Sequence, residues 1–250
     1  MGFSVSSDKT VMADAGNRIL EAAGEIFAEE GFGRATIRKI CTRAGVNVAL
    51  VSYHFGDKEG LYLAVMKHFR AKALEEYPPD LGIDESSPAE ERLKAFVRSF
   101  MFRILSQGQA SWFGKLFARE FIEPTKAFGI MVEESILPSY NMLIKTVSEI
   151  MGAHADEHIC RLCVASIVGQ CLYYRNSRAV IDRITGKDSS STDEIEGIAE
   201  HITRFSLEAM KACYGYGGKR ENRNSYGSKR SVKFRDHQRT GEVNGRKRTG

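Results

Sequence analysis

Residues 35–62, ATIRKICTRAGVNVALVSYHFGDKEGLY, decide how this chain is read. Thr36 is a good helix N-cap, and Ile37, Ile40, Cys41 and Ala44 behind it share one helical face. Gly45 tolerates the left-handed backbone that ends a helix in a tight corner. A second short helix is expected from about Asn47 to His54. Asp57 then caps a further helix that turns Leu61, Tyr62, Val65, Met66 and Phe69 inward. Two short helices joined by a three- or four-residue turn containing Gly describe a helix-turn-helix. In that arrangement the second helix protrudes, and a helix of this width enters the major groove of B-form DNA.

The residue types divide the labour accordingly. Ile37, Ile40 and Cys41 face inward, whereas Arg38, Lys39 and Arg43 can reach phosphates or base edges. Leu50 or Val51, with Phe55, would seat the second helix. Asn47, Val48, Ala49, Ser52, Tyr53 and His54 are left for the groove. Small side chains at Val48 and Ala49 permit close approach, Asn47 and Ser52 can hydrogen-bond to bases, and the Tyr53 hydroxyl suits a phosphate oxygen. Lys58 adds charge to the free N–H groups of a helix start. With Thr36, these residues form the expected DNA-contacting set.

Charge supports that assignment. Residues 34–70 carry seven Lys/Arg against two acids, Asp57 and Glu59, while residues 13–30 carry one Arg against five acids. The net charge of +4 on 250 residues hides this segregation. A polyanionic partner at the basic segment is the natural inference.

Working outward, NRILEAAGEIFAEEGF places Ile19, Ala22, Ala23, Ile26 and Phe27 on one helical face, with Gly31 as the stop and Phe32 folding back onto the core. Residues 1–13 are expected to be flexible, 14–60 to form the helix-turn-helix unit, and 61–76 a connecting helix. YPPDLGIDESSPAEE marks a linker over 77–88. Beyond it Leu93, Phe96, Val97, Phe100, Met101 and Ile104 make a clean helical stripe. Further helices are expected at about 111–120, 126–150, 156–178 and 193–214, with a bend or a new start at Pro138. Strand patterning is nearly absent, so the fold class is all-α. Residues 215–250, with eleven Lys/Arg against three acids and hardly any aliphatic side chain, read as a disordered basic tail.

No run of about 18 apolar residues suggests a membrane helix. Five cysteines without framework spacing fit a reduced, cytoplasmic protein. No phosphate loop, dinucleotide fingerprint or nucleophile elbow points to an enzyme, and no motif asks for a cofactor. HADEHICRLC places His154, His158, Cys160 and Cys163 within ten residues. This keeps a metal- or thiol-sensing regulator open as an alternative, although cysteines in an apolar helix usually serve as small hydrophobes.

RILEAAGEIFAEEGFGRATIRKICTRAGVNVALVSYHFGDKEGLYLAV, residues 18–65, resembles the N-terminal domain of the TetR family of transcriptional regulators. Shared features are the Phe and Gly closing the first helix, the Thr opening the second, the Ala-Gly-Val corner and the aromatic-Phe-x-x-Lys-Glu run. Ser52, where the family usually has Tyr, and Gly60, where a small helix former is usual, depart from the pattern. ERLKAFVRSF, FARE, RLCVASIVGQCLYYR and HITRFSLEA resemble the C-terminal domain of the CecR-like branch.

The resemblance implies an all-helical homodimer, paired through its last two helices, that binds a double-stranded operator and a small-molecule effector. Repression is the family default, and this branch implies control of export or tolerance genes. The effector pocket would be lined by Phe96, Phe100, Trp112, Phe113, Phe117, Phe121, Tyr173, Tyr174 and Phe205. Arg119, Glu120, Gln170, Arg175, His201 and Arg204 are the polar candidates.

Overall fold

The computed structural model describes residues 5–107, 110–153 and 155–217. Among them the chain forms eleven α-helices and one π-helical turn, without a strand. The helices are α1 (Val5–Arg34), α2 (Ile37–Ala44), α3 (Val48–Phe55), α4 (Lys58–Glu76), α5 (Ala89–Leu105) and α6 (Ala110–Ile122). There follow α7 (Ala127–Met131), the π turn (Val132–Ile136), α8 (Leu137–Met151), α9 (Glu157–Asn176), α10 (Arg178–Thr185) and α11 (Thr192–Gly217).

Helix α1 begins at Val5, inside the segment expected to be flexible. No Pro or Gly occurs between residues 5 and 15 to stop it. Gly31 breaks it as expected, at φ 81° and ψ 166°, a backbone region that strains any residue with a Cβ. Helix α11 passes the expected end at Tyr214 and reaches Gly217; the basic tail from residue 218 onward lies outside the described residues. Helix α10 was not expected from sequence. Arg178 joins it to the loop that follows through Asp188 at 3.0 Å and Ser190 at 2.6 Å.

Two apolar cores organise the molecule. The first gathers Ile19, Phe27, Ile40, Val51, Leu61 and Phe69 of α1–α4, and with them Leu116, Ala127 and Met131 of α6 and α7. The second gathers Leu93, Val97, Met101, Leu143, Val147, Ile167, Ile195 and Ile202 of α5, α8, α9 and α11. Burying such faces supplies roughly 1.5–3 kcal/mol per large side chain, which holds short helices that would not persist alone. The boundary between cores therefore does not follow the 77–88 linker. Helices α6 and α7, C-terminal in sequence, complete the N-terminal core.

Of the two expectations at Pro138, the structure shows a new start: α8 begins at Leu137, directly after the π turn, with Pro138 in its first turn. Pro138 has no N–H to offer the Glu134 carbonyl one turn back, and Arg70 of α4 donates to that carbonyl instead.

Candidate functional site

The corner is built from short-range hydrogen bonds. Thr36 Oγ1 accepts from the Lys39 N–H at 3.2 Å, closing the start of α2. Gly45 adopts φ 64°, ψ 41°, and Val46 N–H returns to the Cys41 carbonyl at 3.1 Å. Asn47 then caps α3, its Oδ1 accepting from Ala49 N–H at 3.0 Å. That occupies the oxygen expected to read bases and leaves the amide NH2 available. Val51 is the buried seat of α3, with Leu50 and Phe55 half-buried beside it.

Val48, Ala49, Ser52 and Tyr53 point outward together, Tyr53 with 71% of its surface exposed. His54 does not join them. It is half-buried with Nε2 shielded and unpartnered, and its ring lies over α1, where a Cβ on Gly16 would stand 3.9 Å from Nδ1. The reason is helical phase: His54 is three residues from the buried Val51 and shares its side of α3.

The basic residues of α2 are partly neutralised from α1. Lys39 pairs with Glu30 and Arg43 with Glu25, while Arg38 is exposed and enters no ion pair among the described residues. All three line a groove of about 490 Å³ between α1 and α2, together with Thr36, Glu25 and Glu30. Sequence reading counted the bases of α2 and the acids of α1 as separate blocks; folding apposes them. Lys58 opens α4 behind its Asp57 cap, with Nζ 3.3 Å from the Gly33 carbonyl and 4.6 Å from the centre of the Phe32 ring. Gly60 now has a reason: a Cβ there would lie 2.1 Å from the Phe55 carbonyl oxygen, so α4 leaves α3 too tightly for any side chain.

The residues expected to line one effector pocket are dispersed. Trp112, Phe113 and Phe117 pack on the first core. Phe113 edges a cavity of about 20 Å³ beside Met66, Arg70 and Met131, room for a water but not for an effector. Phe121 and Tyr173 are exposed, as are His201, Arg204 and Phe205. Phe96, Phe100 and Tyr174 belong to the second core. Gln170 reaches Ser206 of α11 at 3.5 Å, and Arg175 is half-buried.

Glu120 is a structural group. At 1% exposure it accepts from the Tyr62 hydroxyl at 2.8 Å, the Thr125 N–H at 2.9 Å and the Thr125 hydroxyl at 3.0 Å. Burial, with the Glu120 carboxylate next to it, holds the Tyr62 phenol well above the ordinary range. Arg119 caps the C-terminal carbonyls of α1, donating to Ala28 at 3.0 Å and Glu29 at 2.5 Å. Lys126 reaches Glu59 of α4 at 2.6 Å. Helices α6 and α7 thus grip both α1 and α4.

Of the alternative metal set, Cys160 is buried, Cys163 is half-buried, His158 is exposed and His154 lies outside the described residues. Among the described residues no three His, Cys, Asp or Glu side chains are grouped to hold a metal. One residue missed from sequence is Arg103, a charge buried inside the apolar run SFMFRIL. The only sequence signal was its place within that run.

Comparison with known proteins agrees with this geometry. Residues 19–65 match the bacterial regulatory proteins of the tetR family, and residues 89–210 match the C-terminal domain of the HTH-type transcriptional dual regulator CecR. The chain is 28% identical over 199 residues to CecR of Shigella flexneri, covering 76% of this chain and 88% of that one. It is 33% identical over 89 residues to the HTH-type transcriptional repressor NicS of Pseudomonas putida, covering 35% of this chain and 42% of NicS. The crystal structure of AibR in complex with isovaleryl coenzyme A and operator DNA superposes with a TM-score of 0.59 at 15% identity, over 76% of this chain and 97% of that one.

Proposed function

The chain belongs to the TetR family of transcriptional regulators, with a C-terminal domain of the CecR type, and from that premise we propose that it is a homodimeric repressor released from a pseudo-palindromic operator by a small-molecule effector. The observation that carries the reading is the outward face of α3. Val48, Ala49, Ser52 and Tyr53 are exposed together, and Arg38 of α2 is exposed without an ion pair among the described residues. Val48 and Ala49 meet thymine methyls, Ser52 and the Asn47 NH2 meet base edges, and Tyr53, Arg38 and Lys58 meet phosphates.

Pairing of two chains supplies the second half-site reader. Leu162 and Tyr173 of α9 and Phe205 of α11 stay exposed on the single chain, and Gly169 and Gly197 on the same helices have open space beside them. Such apolar, close-approach surface favours two-fold packing. The named complex of AibR with an acyl-coenzyme A and operator DNA supports an effector-and-operator division of labour in this architecture. The reading extends to control of export or tolerance genes in the cytoplasm, as the resemblance to the CecR-like branch implies. Coupling of about 1–3 kcal/mol between effector and operator sites, typical of allostery, releases DNA about 5- to 150-fold.

The test is a mobility-shift titration with the fragment upstream of the chain's own coding sequence. Retention as a dimer, weakened alike on specific and random DNA by Tyr53→Phe and Lys58→Met but altered in base preference by Ser52→Ala, is the expected result. A monomer that retards no such fragment overturns the proposal.

A further inference from the structure

Two charged side chains beyond the 77–88 linker are deeply buried, and they differ in one respect. Glu120 has its hydrogen bonds filled, whereas Arg103 of α5 is 7% exposed and its Nε has no partner. Among the described residues Arg103 pairs with no carboxylate, and its guanidinium lies near a ring: the Phe100 centroid is 5.8 Å from Cζ. Phe100 in turn packs against Phe96 at 6.1 Å. Burial pulls the guanidinium down to about 10, so at neutral pH it keeps its charge in a place where charge is disfavoured.

A second guanidinium shares the region. Arg175 of α9 is half-buried, its Nε is also without a partner, and burial together with nearby Arg178 lowers its pKa. Gly114 of α6 lies where the three helices meet. A Cβ there would come 3.4 Å from the Arg103 carbonyl oxygen and 3.8 Å from Arg175 Nε. Both atoms stand at ordinary contact distance from that position, so Arg175 Nε lies beside the turn of α5 that carries Arg103.

Resting on the effector-binding reading above, we propose that Arg103, with Arg175 and the rings of Phe96 and Phe100, holds the carboxylate of an organic acid with an apolar body, and that such acids are the effectors of this regulator. A guanidinium fork matches a carboxylate in a bidentate pair, and the two rings match the hydrocarbon portion. A neutral ligand would leave the buried charge uncompensated, and a cation would add to it.

The experiment uses the full chain and matched probes: butanoate, octanoate, benzoate and 4-phenylbutanoate, each beside its primary amide. Thermal unfolding and release of the upstream DNA fragment are followed with wild type, Arg103→Met and Arg103→Lys. At least one acid is expected to raise the unfolding midpoint and release DNA where its amide does neither, with apparent affinity falling roughly 10- to 100-fold in Arg103→Met. Arg103→Met is also expected to unfold at a higher temperature than wild type without ligand, because it removes an uncompensated charge. Equal effects of acid and amide, no effect of any acid, or an undiminished acid response in Arg103→Met overturns the proposal. If wild type and Arg103→Met still retard the fragment, only the acid assignment has failed; if wild type never retards it, the regulator reading has failed first.

Discussion

The Tyr62 hydroxyl of α4 donates to Glu120 Oε1 of α6 across 2.8 Å, a buried bond between residues 58 positions apart. It joins the helix that leaves the DNA-binding head to a helix contributed from beyond the 77–88 linker. Tyr62→Phe is expected to lower unfolding free energy by about 1–2 kcal/mol in urea titration, since it removes one of the bonds on a buried carboxylate. Glu120→Ala should cost more, about 3 kcal/mol, and the double variant less than the sum. Strict additivity in the cycle would show that the two groups do not communicate.

Charge pairing within the head gives a second expectation. Glu25 and Glu30 occupy Arg43 and Lys39, so Glu25→Gln and Glu30→Gln should raise affinity for random DNA by about two- to fivefold at low salt. Arg38→Ala should reduce the slope of log affinity against log salt by about one. Filter-binding titrations at several salt concentrations read both effects.

Helix α1 crosses α4 at Gly24, where a Cβ would lie 2.1 Å from the Phe69 ring. Ala is otherwise the better helix former by about 1 kcal/mol. Here Gly24→Ala is expected to destabilise by about 1–3 kcal/mol through overpacking. Adding Phe69→Leu should recover part of that loss in the same denaturation assay. Gly60→Ala meets the Phe55 carbonyl rather than a movable ring, so no partner substitution should rescue it.

Acid sensitivity should come from the α5–α11 contact. Arg98 Nε bonds both Glu196 carboxylate oxygens at 2.8 Å and holds that carboxyl below its ordinary 4.5. A depressed carboxyl stabilises the fold above its unfolded pKa and loses that contribution as pH falls through the folded value. Both partners are more than a third exposed, so the effect is modest. Glu196→Gln is expected to flatten the stability profile below about pH 4.5 and to leave the slope at neutral pH unchanged.

The helix-turn-helix was legible because its determinants are local. Thr36, Gly45 and Asp57 act on backbone groups within four residues, and sequence spacing encodes that reach directly. What escaped was set by distant neighbours. The pairing of Lys39 with Glu30 and of Arg43 with Glu25 needs the α1–α2 crossing, which local spacing does not encode. Aromatic residues of α6 were recognised as apolar, but composition does not say which of two cores will take them. Trp112 and Phe117 went to the first core, whereas Phe100 of the preceding α5 went to the second. Arg103 was overlooked because an arginine inside a helix is ordinarily solvated, and only the packing of α5 encloses it.

The proline in α8 has a consequence for how this molecule moves. Because Pro138 leaves the Glu134 carbonyl without its usual helical donor, a side chain of α4 completes another helix's backbone. Lys67 reaches the same residue's carboxylate at 3.5 Å. Moving α4 away from the π turn would therefore strand a main-chain oxygen, so the two segments are tied by the backbone of one and the side chains of the other.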